Sequence, residues 1–164
     1  MDHNKIETPR LFLRTLTNSD VAIVREINGD KFKTDKAADE FIRWQSNPGR
    51  FLINFYVWLK QADKCIGRVY VHSKPELDNE VEIGYSILTE YRNKGYATEA
   101  AKAVVRFAFE QAKLDVLCAI IKFENIASQC VIDKLGFSKY GVRKLADENN
   151  EMCEFNYFKL LRTK

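Results

Sequence analysis

Cysteine is scarce in this sequence of 164 residues, and the four cysteines stand far apart. Cys65, Cys118, Cys130 and Cys153 include no close pair. Such spacing is typical of neither a zinc site nor a disulfide scaffold. We therefore expect reduced, mostly buried thiols, no metal site and a cytoplasmic location.

Long apolar runs and an excess of one charge are also missing. The longest apolar run, residues 51–59, is interrupted by Asn54 and is far too short to cross a bilayer. The first ten residues lack the apolar core of a signal peptide. The chain has 26 basic and 23 acidic residues, a net charge of +3, and they are evenly mixed. We therefore expect neither a membrane nor a nucleic-acid partner.

The composition is that of a globular protein, with 46% apolar and 12% aromatic residues. No repeat, low-complexity tract or linker divides the chain. Because 164 residues are enough to bury one core, we expect residues 1–164 to form a single domain.

Hydrophobic periodicity predicts a mixed α/β fold with the element order βααβββαβαββ and one strand–helix–strand crossover at its centre. The predicted strands are residues 10–16, 51–60, 65–73, 80–88, 115–123, 138–146 and 151–161. The predicted helices are residues 17–28, 35–46, a long helix within 91–111, and 126–135. Stop signals follow three of these helices, at Gly29, Asn47-Pro48-Gly49 and Gly136.

The long helix, in the stretch YRNKGYATEAAKAVVRFAFEQ, is preceded by basic residues. Acidic residues suit the positive end of a helix dipole, but Arg92 and Lys94 stand there instead. An external anion would resolve this conflict, because the amides of the first turn need acceptors and Gly95 lets a ligand approach the backbone. The stretch predicts a pyrophosphate-binding loop over residues 92–98; the alternative is a basic surface loop with an ordinary glycine turn.

A second stretch, ENIASQCVIDKLGF, begins at Glu124 directly after an apolar strand. With it, the chain resembles the GNAT superfamily of acyl-CoA-dependent N-acetyltransferases, and within it the RimJ/RimL branch. ETPRLFLRTLTNSD is similar to the first strand and helix of that family, and VEIGYSILTEYRNKGYATEAA to its central strand and cofactor loop. The loop is neither G-x-x-x-x-G-K-[ST] nor G-x-G-x-x-G, so a P-loop or a Rossmann site has no support.

The resemblance implies a GNAT-like fold, with a central, mixed, mostly antiparallel twisted sheet and helices on both faces. It also implies acetyl-CoA as the donor, its pantetheine arm paired with the splayed end of the central strand, where a backbone amide would polarise the thioester carbonyl. Asn125 would bind pantetheine or a structural water, cap a helix, or do both. The implied cofactor-binding residues are Ile87, Leu88, Arg92, Asn93, Lys94, Gly95, Tyr96, Ala97, Thr98 and Asn125.

Two residues are candidates for catalysis. Glu82 lies part-way into the central strand, where a carboxylate is unusual unless paired or functional, so it is our candidate general base; the alternative is a solvated strand start. Many relatives place a Tyr on the helix of the second stretch to assist the leaving thiolate, but Ile132 stands there. The resemblance to the RimL branch implies Ser128 instead, with an ordinary helix-surface serine as the alternative.

The predicted function is acetyl transfer to a primary amine, either a protein N-terminus or a small molecule. We expect the amine acceptor to bind between residues 28–36 and the turn at 147–151. A CoA-binding sensor with little catalysis is the alternative function. Both a monomer and a homodimer are compatible with the sequence.

Overall fold

The computed structural model describes residues 5–28, 32–45, 53–147 and 149–163. Within these ranges the strands are Lys5–Glu7 (β1), Leu11–Arg14 (β2), Ile53–Leu59 (β3), Lys64–Lys74 (β4), Glu80–Ile87 (β5), Val116–Lys122 (β6), Ser138–Ala146 (β7) and Met152–Leu161 (β8). The α-helices are Val21–Asn28 (α1), Asp35–Gln45 (α2), Tyr96–Glu110 (α3) and Ile126–Lys134 (α4). Short 3₁₀ turns occupy Asn18–Asp20, Pro75–Leu77 and Thr89–Tyr91.

The strands form one eight-stranded sheet in the order β1-β2-β3-β4-β5-β6-β8-β7. Neighbouring strands are antiparallel except for β5 and β6, which are parallel. The predicted mixed, mostly antiparallel sheet is therefore confirmed. The crossover between the two parallel strands is α3, as the central strand–helix–strand pattern predicts.

The predicted element order lacks one strand, β1. This strand has only three residues, two of them charged, and it pairs with β2 through Ile6 and Leu13 at the edge of the sheet. Three residues are too few to show a period, so tertiary pairing and not pattern creates the strand. The predicted helix stops at Gly29 and Asn47-Pro48-Gly49, and positions 51 and 52 of a predicted strand, lie outside the described residues.

Helices cover both faces of the sheet, as predicted. On one face, α3 packs its small side chains, including Ala100, Ala101 and Val104, onto the main apolar core. Small residues bring this helix close to the strands, which places its N-terminus beside the end of β5. On the other face, Ile23 and Ile27 of α1 pack against a cluster of buried residues that includes Tyr56 and Trp58 of β3.

An ion pair fixes the start of α1. The Arg14 guanidinium donates from Nη2 to Asp20 Oδ1 and from Nη1 to Asp20 Oδ2, both at 2.8 Å. Asp20 also accepts from the Thr17 amide at 2.7 Å, a bond of the capping-box type. Asp20 is only 5% exposed, and these bonds, the Arg14 bond above all, lower its pKa to about 2 against the opposing effect of burial.

The strands β5 and β6 separate along their length. Their register joins one pair of residues, Glu82 and Cys118, near the start of both strands. Beyond that pair, β5 stays hydrogen-bonded to β4 and β6 stays hydrogen-bonded to β8. A wedge-shaped gap therefore opens in the centre of the sheet, towards the carboxyl ends of both strands.

Candidate active site

Two cavities meet at this gap. The first, of about 570 Å³, lies between the end of β5, the loop before α3 and the start of α4. The second, of about 430 Å³, lies towards β4 and the first half of β5. Tyr85, Asn125 and Ser128 line both cavities. A molecule in one cavity can therefore contact a molecule in the other at these residues.

The first cavity brings together most of the predicted cofactor-binding residues. Leu88 and Lys94 are not among its lining residues. The predicted residues that do line it are Ile87, Arg92, Asn93, Gly95, Tyr96, Ala97, Thr98 and Asn125.

The loop before α3 presents backbone amides to the first cavity. Gly95 has φ +80° and begins the helix, a conformation that a side chain disfavours. The first bond of the helix runs from the Glu99 amide to the Gly95 carbonyl, at 3.0 Å. The amides of residues 96–98 precede that bond and have no acceptor within the helix. They form the kind of N-terminus that binds phosphate, so the residues present fit the pyrophosphate of CoA.

Arg10 holds this loop in place, and sequence analysis missed it. Its guanidinium donates to the Lys94 carbonyl at 2.9 Å and to Glu99 at 2.6 Å, and it lies 4.5 Å from the centre of the Tyr96 ring. Burial alone would raise the pKa of Glu99, but hydrogen bonds from Thr8 and Arg10 lower it overall. Glu99 therefore links the start of the chain to the first turn of α3.

The two basic residues of the loop differ in position. Arg92 lines the first cavity, and its Nε donates to the Ile87 carbonyl at 2.9 Å. Lys94 points elsewhere, since its Nζ donates to the Glu90 carbonyl at 3.0 Å and lies 5.4 Å from the centre of the Tyr91 ring. The structure therefore brings the Arg92 side chain, and not that of Lys94, to the predicted phosphate site.

At the end of β5, the backbone amides of Ile87 and Leu88 point in opposite directions. The Leu88 amide donates to the Ile66 carbonyl of β4 at 2.8 Å, so it is not available to a ligand. Because alternate residues of a strand point their amides to opposite sides, the Ile87 amide faces the gap. Of the two predicted donors to the thioester carbonyl, only Ile87 is suitably directed.

Asn125 and Ser128 begin α4. The Asn125 side-chain oxygen accepts from the Ser128 amide at 3.1 Å, which makes Asn125 the helix cap that the sequence allowed. Asn125 also lines both cavities, so its position is compatible with both predicted roles. Gln129, which sequence analysis did not single out, holds this turn through a bond from Nε2 to the Phe123 carbonyl at 2.9 Å.

Tyr85 is another residue that sequence analysis left without a role. It crosses the gap from β5, and its hydroxyl donates to the Ser128 carbonyl at 3.0 Å. Burial raises its pKa to about 12, against the opposing effect of that bond. The hydroxyl is therefore neutral over the pH range in which proteins function, and it can act as a hydrogen-bond donor at the junction of the cavities.

Glu82 lines the second cavity and is buried, with 9% of its surface exposed. Its Oε2 lies 3.2 Å from both His72 Nε2 and Lys74 Nζ. The solvated strand start considered for Glu82 is therefore wrong: this is a buried, paired carboxylate at the wall of a cavity. A proton acceptor at that wall can act on a group bound beside Tyr85.

The β7–β8 turn is linked to the second cavity through Lys122. Lys122, which lines that cavity, donates to Asp147 Oδ2 at 3.0 Å. This bond is the largest of the effects that lower the pKa of Asp147. Of the two acceptor-binding segments predicted from sequence, positions 29–31 and 148 lie outside the described residues.

The cysteines are all free thiols, but they are not mostly buried as predicted. Cys65 and Cys118 are buried, Cys153 is half-buried and Cys130 is exposed. Cys130 follows Ser128 by two residues on α4, and it lines the first cavity. In the described parts of the chain no group of three or more His, Cys, Asp or Glu residues could hold a metal ion, and no helix there is long and apolar enough to span a membrane.

A family model and several known proteins are similar to this chain. The acetyltransferase (GNAT) domain family model matches residues 10–138. The "Uncharacterized N-acetyltransferase YnaD" of Bacillus subtilis (strain 168) is 31% identical, covering 95% of this chain and 96% of that protein. An acetyltransferase (GNAT family) structure from Bacillus anthracis is 27% identical with a TM-score of 0.74, covering 96% of this chain and 98% of the other.

A solved structure of RimL, described as a ribosomal L7/L12 α-N-protein acetyltransferase in complex with coenzyme A, has the same fold. Its TM-score is 0.79 over 96% of this chain and 98% of the other, at 14% identity. At that identity the likeness concerns the fold alone.

Proposed function

This chain belongs to the GNAT acetyltransferase family, and on that premise we propose that it transfers an acetyl group from acetyl-CoA directly to a primary amine. The observation that carries the proposal is the meeting of two cavities at Tyr85, Asn125 and Ser128. The first has a glycine loop and helix amides suited to CoA, and the second has a buried carboxylate suited to an amine. The acceptor is a protein N-terminus or a small-molecule amine.

Acetyl-CoA supplies an activated acetyl thioester, and the residues of the first cavity hold it. The amides of residues 96–98 and the Arg92 side chain bind the pyrophosphate. The Ile87 amide, which faces the gap, donates to the thioester carbonyl and stabilises the negative charge that develops on its oxygen. Asn125 binds the pantetheine arm directly or through a water while it caps α4.

Glu82 and Ser128 act on the proton and on the leaving group. Glu82 accepts a proton from the acceptor ammonium, directly or through a water, so that the amine nitrogen can attack the acetyl carbon. As the new C–N bond forms and the C–S bond breaks, the Ser128 hydroxyl donates a hydrogen bond to the departing thiolate. Because a serine hydroxyl is a poor acid, it stabilises the thiolate without protonating it. The second proton, which the nitrogen loses as the amide forms, passes to solvent water, and the released thiolate takes its proton from solvent.

The remaining expectations belong to the same proposal. A cytoplasmic location agrees with four free thiols, since such a compartment keeps thiols reduced. A single domain over residues 1–164, the absence of a nucleic-acid partner, and a monomer or homodimer remain predictions.

The test is release of free thiol from acetyl-CoA with a panel of amines: Ser- and Ala-starting peptides, polyamines, aminoglycosides and free amino acids. Binding of acetyl-CoA is measured alongside by calorimetry. The proposal expects turnover on one class of amine. Tight binding of acetyl-CoA with no turnover on any class would favour the CoA-binding sensor instead.

A further inference from the structure

A group of polar side chains next to the second cavity is not used by the proposed mechanism. It consists of Gln45 of α2, Asn54 and Tyr56 of β3, and Arg68 and Tyr70 of β4; we call it the Arg68 cluster. The sheet register joins Tyr56 to Arg68 and Arg68 to Ser86, so Arg68 lies on the same face as Ser86. Ser86 lines the first cavity and Tyr70 lines the second, so the cluster adjoins both.

Arg68 has no carboxylate partner among the residues that the structure describes. Arg68 is half-buried; its guanidinium hydrogen-bonds to the Tyr56 hydroxyl and lies 4.9 Å from the centre of the Tyr70 ring. Burial raises the pKa of Tyr56 and of Tyr70, and the nearby Arg68 opposes the rise at both residues. A partly desolvated guanidinium usually has an anionic partner, because a charge is costly to remove from water without one.

Two polar atoms of the Arg68 cluster, one on Gln45 and one on Asn54, have no hydrogen-bond partner among the described residues. Gln45 is 8% exposed, and its Oε1 accepts from Asn54 Nδ2 at 2.7 Å and from Tyr56 at 3.1 Å. Its Nε2 and the Asn54 Oδ1 are both buried without a hydrogen bond. Buried polar groups are nearly always satisfied, so this donor and this acceptor are unusual features of the Arg68 cluster.

The other charges around the second cavity are already balanced. Lys74 pairs with Glu82 at 3.2 Å, and Lys122 pairs with Asp147 at 3.0 Å. Arg68 therefore adds a positive charge that the described carboxylates of this region do not neutralise. A polyamine, which carries several positive charges, is a poor match for such a site.

We propose that the acceptor carries an oxyanion, a carboxylate or phosphate, which binds Arg68 while the amine of the same molecule lies near Glu82. This inference rests on the proposed function and names the chemical class of its acceptor. Arg68 supplies the charge that binds the oxyanion, and the unpartnered Gln45 Nε2 and Asn54 Oδ1 lie in the same cluster. Arg68 is thus a specificity-determining residue of the acceptor site.

The test compares amines that differ only in their anionic group. Amino acids are paired with their amides, O-phosphoethanolamine with ethanolamine, and spermidine is added as a polycation. For the wild type we expect one anionic compound to have a kcat/KM at least about tenfold above its neutral partner, the effect of a charged hydrogen bond. Comparison of the amino-acid pairs with the phosphoethanolamine pair shows whether the site prefers a carboxylate or a phosphate.

Variants of Arg68 test whether this residue causes the preference for anionic amines. Arg68→Gln should remove it, mainly by raising KM for the anionic compound, and Arg68→Lys should keep part of it. Arg106→Gln is the matched control, because Arg106 is exposed on α3, a helix on the opposite face of the sheet. A preference that persists in Arg68→Gln, or a wild type that prefers neutral amines or spermidine, would overturn the proposal.

Calorimetric titration of the same compounds into CoA-saturated protein gives a readout that does not need turnover. Tighter binding of anionic compounds to the wild type than to Arg68→Gln, without turnover on any amine, would support the Arg68 site and count against the proposed catalysis. Equal binding of anionic and neutral compounds to the wild type would overturn the Arg68 proposal, whatever the turnover.

Discussion

Tyr85 and Ser128 are joined across the central gap of the sheet: the Tyr85 hydroxyl donates to the Ser128 main-chain carbonyl at 3.0 Å. This bond fixes the distance between β5 and the first turn of α4 at the point where the two cavities meet. The Ser128 hydroxyl is thereby held next to the position at which acetyl transfer would occur.

We expect Ser128→Ala to lower kcat by about 10- to 100-fold and to change the Kd for acetyl-CoA by less than about twofold. The loss of one hydrogen bond to a charged leaving group corresponds to roughly 1.5–3 kcal/mol. Stopped-flow thiol release gives kcat, and calorimetry gives Kd. Ser138→Ala is the control, since Ser138 is exposed at the start of β7. An unchanged kcat in Ser128→Ala would make Ser128 an ordinary helix-surface residue.

Gly95 should be essential for CoA binding. Gly95→Glu would place bulk and negative charge where the pyrophosphate is proposed to lie, so we expect no measurable binding of acetyl-CoA by a folded variant. Even Ala at this position meets a left-handed φ of +80°, and its Cβ would lie 3.3 Å from Arg10 Nη2. Gly95→Ala should therefore lower stability by a strain of order 1–2 kcal/mol. It should also weaken CoA binding by about tenfold or more, because relief of that strain shifts the loop amides from the positions that would bind the pyrophosphate.

Gly136→Ala separates backbone strain from ligand contact. Gly136 has φ +86° at the far end of α4, and a Cβ there meets only ordinary contacts at 3.9 Å. We expect it to lower the melting temperature as Gly95→Ala does, without changing the Kd for acetyl-CoA. If Gly95→Glu stays folded and binds acetyl-CoA like the wild type, the loop at 92–98 is not the phosphate site.

Glu82→Gln should reduce turnover by a factor of about 10² to 10⁴, the usual contribution of a general base. The pH dependence of kcat should change with it, while the Kd for acetyl-CoA stays nearly constant, because Glu82 lines the second cavity and not the first. Glu80→Gln is the matched control: Glu80 lies on the same strand and is also ion-paired, to Lys159 at 2.6 Å, but it lines neither cavity. Equal losses in both variants would assign the effect to the strand and not to base catalysis.

The sequence predicted those parts of the molecule that depend on local pattern. Seven strands, four helices and the glycine turn at Gly95 all follow from periodicity and turn chemistry. Long-range contacts were not predictable in the same way. Arg10 and Glu99 are 89 residues apart, and nothing in either segment indicates the other. Lys94 illustrates a different limit: its charge is visible in the sequence, but the direction of its side chain depends on the local conformation that brings it to the Glu90 carbonyl and the Tyr91 ring.

The Arg14–Asp20 pair should make stability depend on acid pH. The pKa of Asp20 is about 2 in the folded protein against 3.8 for an unperturbed Asp, so the pair stabilises the fold fully above about pH 4. This contribution, about 2 kcal/mol, is lost as the pH falls from about 4 to about 2. Urea unfolding should show Asp20→Asn less stable than the wild type by about that amount at pH 7, and the difference should shrink towards pH 2.

Asp35→Asn is the comparison for Asp20→Asn. Asp35 pairs with Arg25 at 2.7 Å but is 77% exposed, so its loss should cost less than about 1 kcal/mol. A difference between Asp20→Asn and wild type that stays constant from pH 7 to pH 2 would contradict the assignment, because it would then arise from something other than the charge of Asp20.

The cysteines give a last prediction that needs no knowledge of the acceptor. Burial raises the pKa of Cys65 and Cys118 to about 12, so neither forms a reactive thiolate in the folded protein near pH 8. Cys130 is exposed and lines the first cavity.

A thiol reagent such as DTNB should modify Cys130 quickly and reach Cys65 and Cys118 only after unfolding, as peptide mass mapping would show. Saturating desulfo-CoA, which cannot react with the reagent, should slow modification of Cys130 but not that of half-buried Cys153. Equal rates at Cys130 with and without this ligand would mean that CoA does not occupy the first cavity.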